Sequence, residues 1–184
     1  MLEGKTVTLR VMEKDDVDFF LDCTNCISGE QYLPVREQTS KSELTKILDN
    51  PTELQRMIEL KRFIIQRKDG SRIGLIHHRT DMPWKWMEIG YFLIPEERGK
   101  GSGTEAVQLM VDYLFLSKDL SRIHAVTDVI NTASQKVLEK AGFQREGTMR
   151  KSVYVKGGLR DYYLYSILRE DWKEPKILTK TSSK

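Results

Sequence analysis

One segment constrains the fold of this chain more than any other. The glycine-rich loop Arg98-Gly99-Lys100-Gly101-Ser102-Gly103 joins an apolar strand to an amphipathic helix. Glycine lets the backbone approach a ligand closely, and the first-turn amides of a helix attract anions together with the positive end of its dipole. Arg98 and Lys100 add positive charge. The loop therefore predicts a site for a phosphate or pyrophosphate, the alternative being a mobile connection with solvated charges.

The hydrophobic pattern around this loop alternates between strands and helices. Strands are predicted at Thr6–Val11, Arg62–Arg67, Arg72–His78, Trp86–Ile94, Arg122–Val129, Phe143–Tyr154 and Arg160–Leu168. Helices are predicted after the N-cap Asp15, at Ser40–Leu48, at Thr104–Leu116, and from the cap Asn131 to Ala141, where Gly142 ends the helix. Without an internal repeat or a linker, these elements predict one α/β domain.

Length and charge restrict the domain organisation and the partners. The 184 residues allow one domain, which we place at residues 1–172. Four lysines and one glutamate give residues 173–184 the whole chain's net charge of +3, so this segment is predicted to be a basic, flexible tail. A formally neutral remainder argues against nucleic-acid binding. No apolar run approaches the ~18 residues of a membrane span, and no secretion signal opens the chain, so we expect a cytoplasmic protein without a membrane partner.

Two cysteines, Cys23 and Cys26, form a C-x-x-C at the end of the first predicted helix. A structural zinc site needs about four ligands, and the chain offers no second C-x-x-C to complete one, while His77, His78 and His124 lack the paired spacing of metal ligands. A thioredoxin-like pair would open a helix rather than close it. We therefore expect no metal and interpret both cysteines as small apolar residues.

The glycine spacing of the loop does not by itself identify which phosphate-containing ligand binds there. The segment from Gly101 to Ala106 fits the G-x-G-x-x-A fingerprint of dinucleotide-binding proteins, and Asp128 ends the next strand like an acid that binds ribose. Against this interpretation, the loop lies far from the N-terminus and no further βαβ units follow it. A Walker loop is excluded because no Gly-Lys-Ser/Thr ends the segment.

Three motifs in order resemble the GNAT superfamily of acetyl-CoA-dependent N-acetyltransferases, and within it the RimJ/RimL-type branch. Arg98–Gly103 is similar to the family's Arg/Gln-x-x-Gly-x-Gly/Ala pyrophosphate loop and follows a strand of the family's type, Met87–Pro95. The segment from Asn131 to Phe143 is similar to its Asn-x-x-Ser helix that ends in Gly-Phe. The resemblance covers nearly the whole chain. It implies a mixed, mostly antiparallel central sheet flanked by helices, with the cofactor held where two central strands splay apart.

The resemblance also implies direct transfer of an acetyl group from acetyl-CoA to a primary amine. This chemistry needs a neutral amine, a stabilised oxyanion and a protonated thiol leaving group. Glu88 is the candidate general base, acting through a bridging water, because it is a lone carboxylate in the apolar strand Trp86–Phe92. Burial without a partner would raise its pKa towards neutrality. The competing interpretation is an ion pair or a position that faces solvent.

The remaining site residues follow from the same resemblance. Many GNAT enzymes use a tyrosine to protonate the leaving thiolate, and its position here is occupied by Leu138. In the RimJ/RimL-type branch the serine of Asn-x-x-Ser is the suggested substitute, which makes Ser134 the candidate acid and a cofactor contact, unless its hydroxyl bonds nearby backbone. Asn131 is expected to cap its helix and to contact the cofactor. The pantetheine arm is expected to pair with the backbone of Phe92, Leu93 and Ile94.

The acceptor is predicted to be a protein or peptide N-terminal α-amine, as in the RimJ/RimL-type branch. An α-amine, with a pKa of about 8, is partly neutral at pH 7. A small amine, such as a polyamine or an aminoglycoside, is the alternative, although polyamine enzymes of related type usually keep the tyrosine that Leu138 replaces. A non-catalytic acyl-CoA-binding module is a further interpretation, against which Glu88 and Ser134 argue. A homodimer is expected from the family alone.

Overall fold

The computed structural model describes residues 1–25, 39–50, 59–81, 86–155 and 157–178. Its strands are β1 (Leu2–Glu3), β2 (Val7–Val11), β3 (Lys61–Arg67), β4 (Arg72–Asp81), β5 (Trp86–Leu93), β6 (Arg122–Asp128), β7 (Gln144–Val155) and β8 (Gly158–Leu168). They form one eight-stranded sheet in the order β1-β2-β3-β4-β5-β6-β8-β7. Neighbouring strands are antiparallel except β5 and β6, which are parallel. The predicted mixed, mostly antiparallel sheet is confirmed.

Four α-helices lie in the described parts of the chain: α1 (Val17–Asn25), α2 (Lys41–Asp49), α3 (Ser102–Ser117) and α4 (Thr132–Ala141). Helix α3 begins two residues before its predicted start at Thr104, since the Glu105 amide already donates to the Gly101 carbonyl at 3.1 Å. Asn131 and Gly142 bound α4 as predicted, and Gly142 has a φ of +105° that suits glycine.

The N-cap predicted before α1 is wrong. A short 3-10 turn, Lys14–Asp16, precedes the helix, and Glu13 caps this turn in a reciprocal capping box with Asp16. The Asp16 carboxylate is also ion-paired with Arg10, which lies 2.6 Å away. Asp15 is not the cap, because the carboxylate that accepts a backbone hydrogen bond in this turn belongs to Asp16. Helix α2 begins at a similar box, in which Ser40 pairs with Glu43.

The helices cover both faces of the sheet. The larger core packs α3 and α4 against one face, and it contains Met87 and Ile89 of β5 together with Leu109 of α3. The smaller core packs α1 and α2 against the other face, and it contains Cys23 and Leu44. The two helices that follow the predicted ligand motifs therefore lie on the same side of the sheet.

Cys23 is buried in the smaller core, and Cys26 lies outside the described residues. Within the described ranges, no three His, Cys, Asp or Glu side chains are grouped as a metal site would require. No helix in these ranges has the length and apolar character needed to cross a membrane.

The described part of the C-terminal tail departs from the predicted frayed end. Asp112 of α3, only 1% exposed, accepts a hydrogen bond from Trp172 Nε1 at 2.8 Å. The same carboxylate accepts from the backbone amides of Lys176, Ile177 and Leu178 at 2.7 to 3.1 Å. A buried carboxylate requires donors, and the tail supplies them, so this segment is docked through Leu178. Residues 179–184 lie outside the described part.

Candidate active site

The parallel strands β5 and β6 separate soon after they meet. Their pairing consists of two residue pairs, the second of which joins Glu88 to His124. Beyond this point, in the described structure, β5 continues to pair with β4 and β6 with β8. A wedge-shaped opening therefore lies between residues 89–93 of β5 and 125–128 of β6. We call this opening the splay, and it is the feature that the sequence resemblance implied.

Leu93 turns its backbone groups towards the splay. The Ile94 amide donates to the Ile73 carbonyl of β4 at 3.1 Å. Because successive residues of a strand direct their peptide groups to opposite neighbours, Leu93 directs its N–H and C=O away from β4, whereas Phe92 and Ile94 direct theirs towards it. Of the three backbone partners predicted for the pantetheine arm, Leu93 is therefore the one that faces the opening.

The glycine-rich loop leaves the N-terminus of α3 open. Gly99 and Gly101 have φ values of +74° and +91°, and apart from their adjoining residues nothing in the described part of the chain lies within 4 Å of the position that a Cβ would take at either glycine. Gly101 is the N-cap and supplies no side-chain hydrogen bond, so the amides after it, from buried Ser102 onwards, can bind an anion. At Gly103, a Cβ would lie 3.3 Å from Leu93 Cδ1, so here glycine allows close packing of helix on strand.

Both cations of the loop are engaged by neighbouring groups. Arg98 donates from Nε and Nη2 to the Leu93 carbonyl at 3.0 and 2.9 Å, and its guanidinium carbon lies 5.5 Å from the centre of the Phe92 ring. Lys100 Nζ lies 3.2 Å from Glu97 Oε1, and Glu97 also pairs with Arg67. Direct binding of an anion by Arg98 and Lys100 stays a prediction, whereas the open amides are already in place.

Glu88 lies at the apex of the splay and is not a lone carboxylate. Arg79 donates from Nε and Nη2 to its two oxygens at 3.1 and 2.9 Å, and His124 Nε2 lies 3.7 Å from Oε2. Burial raises the pKa of Glu88, but the nearby His124 and Arg79 outweigh it and lower the pKa to about 2. The predicted rise towards neutrality is wrong, because Arg79 lies directly opposite Glu88 in the β4–β5 register.

Ser134 contacts a tyrosine that the sequence analysis missed. Tyr91 Oη lies 2.8 Å from Ser134 Oγ and 3.2 Å from the Ser134 carbonyl oxygen. Burial raises the pKa of the Tyr91 hydroxyl, which therefore keeps its proton at neutral pH. The signal was the alternation of β5, since Tyr91 shares the α4-facing side of the strand with Met87 and Ile89.

Side chains of the first turn of α4 hold that turn in place through hydrogen bonds to the backbone. Asn131 Oδ1 accepts from the Ser134 amide at 3.1 Å, which confirms Asn131 as the helix cap. Gln135 Nε2 donates to the Val129 carbonyl at 2.9 Å and ties the turn to the preceding connection. One turn further along, Leu138 is completely buried in the larger core. The position where many GNAT enzymes carry a tyrosine is therefore a packing position here.

Asp128, the acid expected to bind ribose in a dinucleotide site, is already paired with other groups of the protein. It is 1% exposed, pairs with Arg160 Nη1 at 3.0 Å, and accepts from the Ile130 amide at 3.0 Å. In the described sheet, β5 and β6 also form the sole parallel pair, whereas a dinucleotide fold needs several parallel strands. The dinucleotide interpretation is wrong.

Comparison with known proteins agrees with this geometry. The sequence profile of the Acetyltransferase (GNAT) domain matches residues 6–144. The chain belongs to the GNAT acetyltransferase family. It is 34% identical over 178 residues to the probable N-acetyltransferase YjcK of Bacillus subtilis, and the match covers 93% of this chain and 98% of that protein. As a GNAT N-acetyltransferase, the protein uses acetyl-CoA as its acetyl donor.

Two solved structures illustrate the range of acceptors in the family. The ribosomal-protein-S5-alanine acetyltransferase of Vibrio fischeri is 26% identical, with a TM-score of 0.79 and coverage of 92% of this chain and 97% of that chain. The spermidine N-acetyltransferase of Vibrio cholerae, in complex with CoA and spermine, is 23% identical with the same TM-score and covers 91% and 98%, which shows a shared fold. The RimJ/RimL-type resemblance is confirmed, and the type of acceptor differs between these neighbours.

Proposed function

We propose that this N-acetyltransferase acetylates the N-terminal α-amine of a protein or peptide. The observation that carries the proposal is the charge balance at the apex of the splay. Glu88 is neutralised by the bidentate contact with Arg79 and lies beside His124. Arg122, whose guanidinium carbon lies 4.7 Å from the centre of the Trp86 ring, pairs with Glu146 at 2.7 Å. The described part of the apex therefore offers no surplus negative charge.

This balance favours an acceptor with one amine. A polyamine carries several ammonium groups, and each would need an uncompensated carboxylate when it leaves water. A peptide N-terminus presents a single amine, which at a pKa of about 8 is partly neutral at pH 7. The similarity to an S5-alanine acetyltransferase supports the same choice.

The predicted homodimer stays a prediction, which sedimentation of the purified protein tests.

The residues on the cofactor side fit the acetyl donor. The open amides after Gly101 suit the pyrophosphate, and the Leu93 amide suits the extended pantetheine arm, whereas the Leu93 carbonyl already accepts from Arg98. Asn131 caps the first turn of α4, from which Ser134 contacts Tyr91 of β5. When bound, acetyl-CoA supplies an activated acetyl thioester. The chain's own task is then to hold this group against the amine and to move two protons.

Glu88 and His124 provide the amine side of the site. With a pKa of about 2, Glu88 stays ionised at neutral pH and is a poor proton acceptor by itself. A neutral imidazole can take the proton of the amine, and a neighbouring carboxylate orients the ring and stabilises its protonated form. His124 is therefore the proton acceptor in this proposal, and Glu88 is the residue that holds it in place.

Calorimetric titration with acetyl-CoA tests the cofactor side. We expect micromolar binding that Gly101→Glu abolishes, because the substitution places bulk and negative charge among the open amides. Gly157→Glu is the matched control, since Gly157 also has a positive φ and open surroundings but lies in the β7–β8 hairpin. Equal binding by both variants would refute the assignment of the anion site.

An acceptor panel tests the amine. It contains a peptide with a free N-terminus, the same peptide with a blocked N-terminus and an internal lysine, spermidine, and an aminoglycoside. We expect kcat/KM to be at least tenfold higher for the free N-terminus than for any other acceptor. A preference for spermidine would replace the proposal with a polyamine acetyltransferase, and turnover of the blocked peptide would indicate lysine as the acceptor.

A further inference from the structure

Two hydroxyl groups meet on the wall of the splay. Tyr91 belongs to the stretch of β5 that no longer pairs with β6, and Ser134 lies in the first turn of α4. Their oxygens are 2.8 Å apart although the residues are 43 positions apart in sequence. The contact joins the strand and the helix that border the splay. It therefore couples the position of the Ser134 hydroxyl to β5 rather than to α4 alone.

The hydrogen-bonding capacity of the pair explains what this contact can do. A serine hydroxyl donates one hydrogen bond and accepts up to two. When the Tyr91 hydroxyl donates its one proton to Ser134 Oγ at 2.8 Å rather than to the Ser134 carbonyl oxygen at 3.2 Å, the serine keeps its own proton for a third group. The Ser134 amide is already held by Asn131 Oδ1 at 3.1 Å, so the turn itself does not rotate freely. Tyr91 then decides the direction in which the Ser134 proton points.

The pair lies between the two ends of the site. From Leu93, beside the anion-binding amides, to Glu88 at the apex, β5 spans roughly 17 Å at ~3.3 Å per residue. Tyr91 stands on this stretch of strand, about 7 Å from Leu93 and about 10 Å from Glu88. In an extended acetyl-CoA, the sulfur lies between the pantetheine arm and the acetyl group. A donor that serves the sulfur must therefore lie on this stretch, as the two hydroxyls do.

We infer that Tyr91 positions the Ser134 hydroxyl as the donor to the leaving sulfur, in place of the tyrosine that Leu138 replaces. This role rests on the proposed acetyl transfer to an amine. As the amine nitrogen bonds to the carbonyl carbon, the carbon–sulfur bond breaks and its electron pair leaves on sulfur. The sulfur takes the Ser134 proton, and His124 takes the proton of the amine. His124 then releases that proton to solvent while Ser134 takes one from solvent, so no proton is gained or lost and both residues end the cycle unchanged.

A double-mutant cycle tests the coupling between the two residues. We expect Ser134→Ala to lower kcat about 100-fold and Tyr91→Phe, which keeps the Ser134 hydroxyl, to lower it about tenfold. Because Tyr91 acts through Ser134, the double variant should be no slower than Ser134→Ala alone. Ser134→Thr, which keeps a hydroxyl, should recover most of the lost rate.

Tyr165→Phe is the matched control. The Tyr165 hydroxyl also bonds a residue of α4, donating to Glu139 Oε1 at 3.0 Å, and the side chain is buried in the same core. Loss of the Tyr165 hydroxyl should lower the melting temperature of the protein without lowering kcat. If Tyr91→Phe behaves in the same way, Tyr91 has a packing role alone and the inference is overturned. Independent losses that multiply in the double variant would also overturn it.

A second readout needs no acceptor. The thiol of bound coenzyme A is titrated by the ultraviolet absorbance of its thiolate. A hydrogen bond to the thiolate favours the ionised form, so we expect its pKa to rise in Tyr91→Phe and in Ser134→Ala, with no further rise in the double variant. If these shifts occur but no amine is acetylated, the proposed acceptor fails and the inference stands. If coenzyme A binds with an unchanged thiol pKa in both variants, the inference fails and the proposed acetyl transfer is not affected.

Discussion

His78 makes the stability of this protein sensitive to acid. Its side chain is completely buried on the α3 side of the sheet, 6.0 Å from the Phe63 ring and 6.2 Å from the Tyr113 ring between centroids. Among the described residues, neither imidazole nitrogen has a hydrogen-bond partner. Burial, and after it the charges of Lys118 and Lys61, lowers the pKa of His78 from 6.5 to about 4. The folded protein therefore favours the neutral ring.

The sign and size of the effect follow from this shift. The unfolded chain binds the proton more readily than the folded one between pH 4 and 6.5, so stability falls as the pH falls through that range. One pKa unit corresponds to ~1.4 kcal/mol. The free energy of unfolding should therefore drop by about 2 kcal/mol between pH 7 and pH 5, and by roughly 3 kcal/mol once the folded protein is protonated as well.

His78→Leu removes the titrating group and the two unsatisfied nitrogens. We expect the variant to be at least as stable as the wild type at pH 7, and its advantage to grow by about 2 kcal/mol at pH 5. Urea unfolding at half-unit steps from pH 4.5 to 7.5 measures the difference. His77→Gln is the control, because it changes the adjacent histidine and keeps His78. Parallel stability curves for the wild type and His78→Leu would refute the reasoning.

Three further substitutions have definite expected outcomes. Arg79→Gln removes the bidentate partner of Glu88, so burial is opposed by His124 alone and the pKa of Glu88 rises from about 2. Glu88 is then protonated, and ceases to hold His124, at a higher pH than in the wild type, so the acidic limb of the kcat/KM profile should move to higher pH; an unmoved limb would exclude Glu88 from positioning His124. Asp112→Ala leaves four N–H groups without their acceptor and should cost about 3 kcal/mol in urea unfolding, with faster tryptic cleavage after Lys176. Gly142→Ala places a side chain at a φ of +105° and should cost about 1–2 kcal/mol, measured in the same way.

The conformation of the glycine-rich loop was predictable from the sequence because backbone geometry determines it. Gly99 and Gly101 adopt left-handed conformations that favour glycine, and their local spacing before a helix is the signal itself. Asn131 and Gly142 bound α4 for similarly local reasons. In each case the residue type and its few neighbours in sequence are enough to fix the structure. These features could therefore be recognised without knowing how the sheet is ordered.

The separation of β5 and β6 could not be predicted in this way. Both strands show ordinary apolar alternation, and nothing in either pattern marks where their pairing ends after Glu88 and His124. The separation depends on which neighbour each strand keeps, β4 on one side and β8 on the other. Sheet order is a property of the whole chain, and here the resemblance to a known family supplied what hydrophobic periodicity alone does not contain.

The environments of Glu88 and Tyr91 depend on pairings across the sheet. Glu88 reads as an isolated carboxylate within its own strand, yet the hairpin register places Arg79 directly opposite and reverses the expected direction of the pKa shift. Tyr91 reads as an aromatic core residue, yet its hydroxyl meets Ser134 from a helix that follows the next strand. A short sequence motif reveals residues whose role depends on their own backbone conformation. A residue whose role depends on a side chain from another strand or helix is recognised only when that neighbour is known. Variants that change Arg79 or Tyr91 therefore test the mechanism more sharply than further changes in the glycine-rich loop.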